Sequence, residues 1–220
     1  MAPAFPGGIS DNNGAVAYLN VAGALVAIDL RSGAVKWRRS DAVEPIAASD
    51  RFLVTRRNQP GEPVIEVRDA QTGDPVAALT AAQLPGFSGV EPGDPIEADV
   101  EDAPGGAQIR WRSERRYRGG AVPRGLVADT TAAHGAVLLN AATGETQSVT
   151  SFAAPAARVA PQPVPGDSAT ISAVRDGDVL FALKQRDRGL LLEARTAGGE
   201  LLWQTALGTA GAPRTGPLRE

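Results

Sequence analysis

Ala27-Ile-Asp29-Leu-Arg-Ser32-Gly33-Ala-Val-Lys-Trp37 decides the fold. Apolar residues alternate up to Asp29, a polar turn closes on Gly33, and alternation resumes through Val35 and Trp37. An acid four residues before a glycine can hold the turn backbone, and the glycine supplies the positive φ that such a turn needs. The stretch is therefore a β-hairpin. It returns as Val67-Arg-Asp69-Ala-Gln-Thr72-Gly73-Asp-Pro-Val-Ala77. A third copy is Leu138-Leu-Asn140-Ala-Ala-Thr143-Gly144-Glu-Thr-Gln-Ser148, and a fourth is Glu193-Ala-Arg195-Thr-Ala-Gly198-Gly199-Glu-Leu-Leu-Trp203. Asn140 and Arg195 stand where the first two copies have Asp, and Ala77 and Ser148 where the others have Trp.

Turn signals and alternation predict strands at Ala15–Leu19, Ala24–Asp29, Val35–Arg38, Phe52–Arg57, Val64–Asp69, Val76–Leu79 and Ile96–Glu101. Further strands are expected at Gln108–Tyr117, Ala136–Asn140, Thr146–Val149, Ala169–Arg175, Val179–Lys184, Leu190–Arg195 and Leu201–Leu207. No run demands a helix, and Ala78–Leu84 holds one short turn at most. The first two turn glycines are 40 residues apart, the length of one four-stranded propeller blade. Longer gaps contain insertions near 80–95, 118–134 and 150–167. The expected architecture is all-β: one domain over 1–220, a small or incomplete β-propeller of about four blade-like repeats.

The pattern Ala-x-Asp-x-x-Ser/Thr-Gly-x-x-x-Trp resembles the repeat of quinoprotein-type (PQQ-like) β-propellers. The resemblance implies that each copy closes two strands of a blade and that Trp37 and Trp203 are buried in equivalent positions between blades. Four copies are fewer than the seven or eight blades usual in that family. A closed small ring, a fragment, and a part completed by another chain all remain open. The resemblance further implies an extracytoplasmic scaffold of the kind used in outer-membrane protein assembly, when cofactor residues are lacking.

Composition sets the other bounds. Among 220 residues are Gly 25 and Pro 17, about a fifth of the chain, which suits many short elements. Hydrophobic residues at 43% with 21% charged are those of a folded chain, and a net charge of −3 disfavours a basic nucleic-acid binder. The apolar stretch Ala15–Ile28 is too short to span a membrane and is broken by Asn20. Nothing basic precedes it and no cleavage site follows, so a soluble chain without a signal peptide is expected.

The residues for catalysis are few. No cysteine is present, so disulfides, thiolate metal sites and the vicinal disulfide of the quinone enzymes are excluded. His134 is the only histidine, in a stretch that reads as a solvated loop, and no Gly-x-Ser-x-Gly elbow accompanies it. Glu101-Asp102 and Asp176-Gly177-Asp178 supply too few oxygens for calcium, and the second reads as a hairpin turn. Gly7-Gly8, Gly105-Gly106 and Gly119-Gly120 lack a phosphate-loop pattern and read as turns. No catalytic, cofactor-binding or metal-binding residue is assigned, and no cofactor is expected.

One segment is densely basic: Arg110-Trp-Arg112-Ser-Glu-Arg115-Arg116-Tyr117-Arg118. Arginines among aromatics can stack on and neutralise single-stranded nucleic acid. Ile96-Glu97-Ala98-Asp99-Val100-Glu101 offers counter-charge if a turn at Pro104–Ala107 folds it back. Pairing Ala103 with Gln108 then sets Glu101 opposite Arg110, Asp99 opposite Arg112 and Val100 opposite Trp111. The sequence thus favours a non-enzymatic interaction module with a protein partner, no nucleic-acid partner, and a homodimer as one way to cover exposed edges. The alternative is a sugar- or small-ligand-binding propeller with residual oxidoreductase or hydrolase activity.

Overall fold

A computed structural model describes residues 8–58, 63–87, 90, 94–113, 133–153, 155, 170–187 and 189–209. Their strands form four four-stranded antiparallel sheets, each a run of consecutive strands. Blade 1 holds β1 (Gly8–Ser10), β2 (Val16–Val21), β3 (Ala24–Asp29) and β4 (Val35–Arg39). Blade 2 holds β5 (Glu44–Ala48), β6 (Phe52–Asn58), β7 (Pro63–Asp69) and β8 (Pro75–Leu79). In blade 3 are β9 (Ile96–Ala103), β10 (Gly106–Ser113), β11 (Ala133–Asn140) and β12 (Thr146–Ser148). Blade 4 is β13 (Thr170–Asp176), β14 (Val179–Arg186), β15 (Gly189–Thr196) and β16 (Leu201–Thr209). The fold is a small β-propeller.

Each repeat turn links the third and fourth strands of its blade. In blade 1 the amides of Arg31 and Ser32 and the Ser32 hydroxyl donate to Asp29 Oδ1 at 3.1, 2.8 and 2.7 Å. These bonds hold the exposed Asp29 carboxyl below its ordinary range, the Ser32 hydroxyl foremost. Asp69 takes the amides of Gln71 and Thr72, and Asn140 those of Ala142 and Thr143. The fourth turn corrects the sequence alignment. Thr196, not Arg195, takes the acid's place: its amide donates to the Glu200 carbonyl at 2.9 Å and its hydroxyl accepts from the Glu200 amide at 3.1 Å. That turn is one residue shorter than the other three, which moves the alignment by one.

Two strands escape the sequence pattern, β1 and β5. Both are innermost edges of their sheets. Pro45 reads as a breaker, yet an edge strand tolerates it, and a bulge lies between Pro45 and Ala47. The segment after β8 forms the expected short turn, a 3-10 element at Ala81–Gln83. Around it the insertion expected near 80–95 is partly core: Leu84, Phe87 and Val90 are buried. The insertions at 118–134 and 150–167 lie mostly outside the described residues.

The core sits between blades, in three apolar clusters. Tyr18, Leu25 and Ala27 meet Val43, Leu53 and Ala70 between blades 1 and 2. Ile65, Val67 and Leu79 meet Val100, Ile109, Trp111 and Leu139 between blades 2 and 3. Phe181, Leu192, Ala194 and Leu207 meet Leu19, Val26 and Ile28, so blade 4 packs on blade 1. Among the described residues none of these clusters joins blade 3 to blade 4.

Candidate functional site

Trp37 and Trp203 occupy equivalent places. Trp37, on β4, lies over Gly73 of the next blade, and its indole N–H donates to the Ala70 carbonyl at 3.1 Å. Trp203, on β16, lies over Gly33 of blade 1 and donates to the Leu30 carbonyl at 3.1 Å. A Cβ on Gly73 would come within 2.8 Å of the Trp37 ring, and Gly73 has φ +76°; ring and backbone both demand glycine. Each tryptophan meets one aromatic ring of its own blade, Tyr18 at 5.9 Å and Phe181 at 6.0 Å. Both are half-buried rather than buried, because they sit on the outermost strands. Tyr18 is 2% exposed, and burial foremost, with the charges of Asp11, Asp69 and Asp50, pushes its hydroxyl far above the ordinary value. Its hydroxyl donates to the same Ala70 carbonyl at 3.3 Å.

The other two repeat turns carry no tryptophan. Among the described residues nothing lies within 4 Å of the place a Cβ would take on Gly144 or Gly199. At the blade 2/3 junction the inner packing comes instead from Trp111, fully buried, with Phe87 edge-on at 4.8 Å. The Trp111 indole nitrogen is buried and has no hydrogen-bond partner among the described residues. Beside the Gly144 turn opens a cleft of about 600 Å³, lined by Gln83, Asn140, Glu145, Thr146 and Gln147, and reaching Pro104, Gly105 and Leu138. Asn140 Oδ1 is occupied by its own turn, and Glu145 Oε2 accepts from the Thr143 hydroxyl at 3.3 Å.

The arginine segment folds back as expected, in a different register. A two-residue Pro104-Gly105 turn pairs Ala103 with Gly106, so Asp99 faces Arg110, Glu97 faces Arg112 and Val100 faces Ile109. This corrects the Ala103–Gln108 pairing by two residues, because Pro-Gly closes the hairpin without Gly106 and Ala107. A shift of two keeps every side chain on its face. Trp111, Ile109 and Val100 stay buried, and the charges stay opposite. Arg110 bonds both Asp99 and the diagonal Glu101, and Arg112 Nε pairs with Glu97 at 2.7 Å. Burial works against the Arg110 charge, but the Asp99 and Glu101 bonds outweigh it and hold its pKa above the ordinary value. Arg115, Arg116, Tyr117 and Arg118 lie outside the described residues.

A second charged cluster lies on blade 4. Lys184 and Arg195 converge on Glu193 at 3.2 and 3.0 Å, and the Glu193 side chain is 8% exposed. Burial raises the Glu193 pKa, but the bonds from Arg195 and Lys184 prevail and hold it below the ordinary value. Arg195 also donates to the Gly199 carbonyl at 3.0 Å. Arg68 does the same at the Gly73 carbonyl at 3.1 Å, paired with Glu66 and with Asp41. Glu66-x-Arg68 and Glu193-x-Arg195 are thus one device in alternate blades, which the sequence reading missed.

His134 is on β11 opposite Arg112, not in a loop, and its ring meets Phe152 at 6.0 Å. Asp102 accepts from the Ser49 hydroxyl at 2.6 Å, a tie between blades. Gly177-Asp178 forms the expected hairpin turn between Asp176 and Val179. Gly8 begins β1 and Gly106 begins β10. They are strand residues, where turns were expected. Gly7 and Gly119-Gly120 lie outside the described residues. No group of three metal-ligating side chains occurs among the described residues.

No protein-family model matches the chain, and no curated protein does. Among solved structures, the chain is similar to an uncharacterised protein, lmo1340, from Listeria monocytogenes, with TM-score 0.36 and 9% identity, over 91% of this chain and 63% of that one. It is similar to BamB from Moraxella catarrhalis, with TM-score 0.34 and 15% identity, over 89% of this chain and 59% of that one. It is also similar to TolB from Acinetobacter baumannii, with TM-score 0.29 and 12% identity, over 91% of this chain and 52% of that one. The chain spans less than two-thirds of each.

Proposed function

We propose that this chain is a non-enzymatic protein-interaction or scaffold module, a single propeller domain over 1–220 built on PQQ-like repeats. One observation carries the reading: blade 4 exposes Ile171, Leu201 and Leu202 at 52, 42 and 50%. Large apolar side chains on both edge strands of a sheet that, among the described residues, joins its neighbour through a single apolar cluster suit a partner surface. The polar residues of the repeat, Asp29, Asp69, Asn140 and Thr196, serve the turns. An extracytoplasmic location and homodimerisation belong to the same proposal. The test is crosslinking of the tagged chain in its native host, against Leu202→Arg/Ile171→Arg. Partners captured by the native chain and lost in the folded double variant support the reading. Identical captures from both defeat it.

A sugar- or small-ligand-binding reading is favoured by the amides Gln83, Asn140 and Gln147, which share the cleft of about 600 Å³. Binding to a panel of neutral oligosaccharides, weakened in Gln147→Ala, would establish it.

A further inference from the structure

We propose that the open turn of blade 3 is a receptor for a tryptophan side chain presented by a protein partner, an inference that rests on the interaction-module reading and names the chemistry of the partner. The molecule itself shows what such a turn holds. At Gly73 and at Gly33 an indole lies flat against the turn and donates its N–H, at 3.1 Å, to a carbonyl three residues before the glycine. The blade 3 turn has the same backbone. Gly144 has φ +72° against +75° and +76°. Its amide donates to the Asn140 carbonyl at 2.8 Å, as Gly33 does to Asp29 and Gly73 to Asp69. The Asn140 amide donates to Glu145 at 2.9 Å, as Asp29 does to Ala34 and Asp69 to Asp74.

The matching acceptor is the Ala141 carbonyl, to which no hydrogen bond runs among the described residues. The ring is missing because Ala77 stands at the blade 2 position that holds Trp37 in blade 1. Space for a ring remains. Among the described residues nothing comes within 4 Å of a Cβ built on Gly144, and the cleft of about 600 Å³ is lined by Asn140, Glu145 and Thr146 of this turn. The occupant must come from another molecule: the three tryptophans of the chain are Trp37, Trp111 and Trp203, and all are placed. An aliphatic side chain would fill the space but leave the carbonyl unmet, whereas an indole meets it as Trp37 and Trp203 do at the equivalent turns.

The test uses the ¹⁵N-labelled full chain titrated with N-acetyl-Gly-Trp-Gly amide and, separately, N-acetyl-Gly-Leu-Gly amide. The tryptophan peptide should give saturable amide shifts at Gly144, Glu145 and Thr146, with the leucine peptide weaker by about tenfold. Ala77→Trp supplies the ring from within and should abolish those shifts while raising the melting temperature. Should that variant not fold, an intermolecular contact between the indole protons and Gly144 in the native chain decides the matter. Shifts scattered over the molecule, equal binding of both peptides, or shifts that persist in folded Ala77→Trp overturn the proposal. Loss of peptide binding with crosslinked partners still captured defeats this receptor alone. Peptide binding without partner capture defeats the module reading alone.

Discussion

Trp203, on the last described strand, donates its indole N–H to the carbonyl of Leu30, on the first blade, 173 residues earlier. The bond ties blade 4 to blade 1, and two further contacts reinforce it. Arg38 donates to the Leu207 carbonyl and the Thr205 hydroxyl to the Gly33 carbonyl. Packing therefore runs from blade 4 to blade 1 to blade 2 to blade 3, through three clusters and two tryptophan–glycine contacts.

Trp203→Ala should lose about 2 to 3 kcal/mol of stability, and Trp37→Ala a similar amount. Both lie below the roughly 3 to 5 kcal/mol expected of fully buried Trp111→Ala, since each ring is only partly buried. Trp203→Phe should lose only about 1 kcal/mol, mostly the Leu30 bond. Chemical denaturation of the four variants checks the ranking. A neutral Trp203→Ala would mean that blade 4 does not depend on the Gly33 turn.

The hairpins were legible because each repeats one local solution. An acid or amide binds the turn amides, a glycine takes positive φ, and alternation fixes both strands. What stayed hidden was set by non-local packing. β5 carries Pro45 and gains its place by pairing with β6 and by burying Ile46 and Ala47. The hairpin of β9 and β10 showed its faces, through alternation, but not its register, because Pro-Gly can close a two-residue or a longer turn with identical faces. The open turn at Gly144 was legible as the missing tryptophan at Ala77. Its cleft was not, since that depends on Gln83, from beyond the repeat, and on the Pro104-Gly105 turn.

The arginine ladder should show no salt-sensitive affinity for single-stranded oligonucleotides at physiological ionic strength. Arg110 and Arg112 already meet Asp99, Glu101 and Glu97. Such pairs are worth only about 0.2 to 1 kcal/mol each where exposed, yet they cancel the local positive field. A salt titration on the native chain and on Arg110→Ala/Arg112→Ala checks this. Micromolar binding with a steep salt slope, absent in the double variant, would place these arginines on phosphates.

Reconstitution with pyrroloquinoline quinone and Ca²⁺ should give no saturable binding. The chain has no cysteine for the vicinal disulfide that the resembled enzymes hold over the cofactor. One oxygen of each repeat acid, Oδ1 of Asp29 and of Asp69, is taken up by turn amides. Absorbance titration with the quinone is the measurement, and stoichiometric uptake with alcohol or aldose oxidation would reverse the assignment.

Acid should loosen blade 4 through Glu193. Its carboxylate lies 3.0 Å from Arg195 and 3.2 Å from Lys184, and these bonds outweigh burial to hold its pKa below the ordinary 4.5. A carboxyl depressed in the folded state releases its proton more readily there than in the unfolded chain. Its contribution is therefore complete above 4.5 and is lost as pH falls through the lower folded value. Below that point both states carry the proton, and the advantage is gone. Lys184 and Arg195 then face an uncharged acid, with Arg195 still bound to the Gly199 carbonyl. Glu193→Gln should cost about 1 to 2 kcal/mol near neutral pH, by removing a charged acceptor from two donors. It should also flatten the fall in stability on the acid side of 4.5, relative to the native chain. Urea denaturation of both proteins at a series of pH values makes the comparison. Parallel curves across the acid range would show that Glu193 titrates alike in the folded and unfolded chain, and that its two partners do not stabilise its charge.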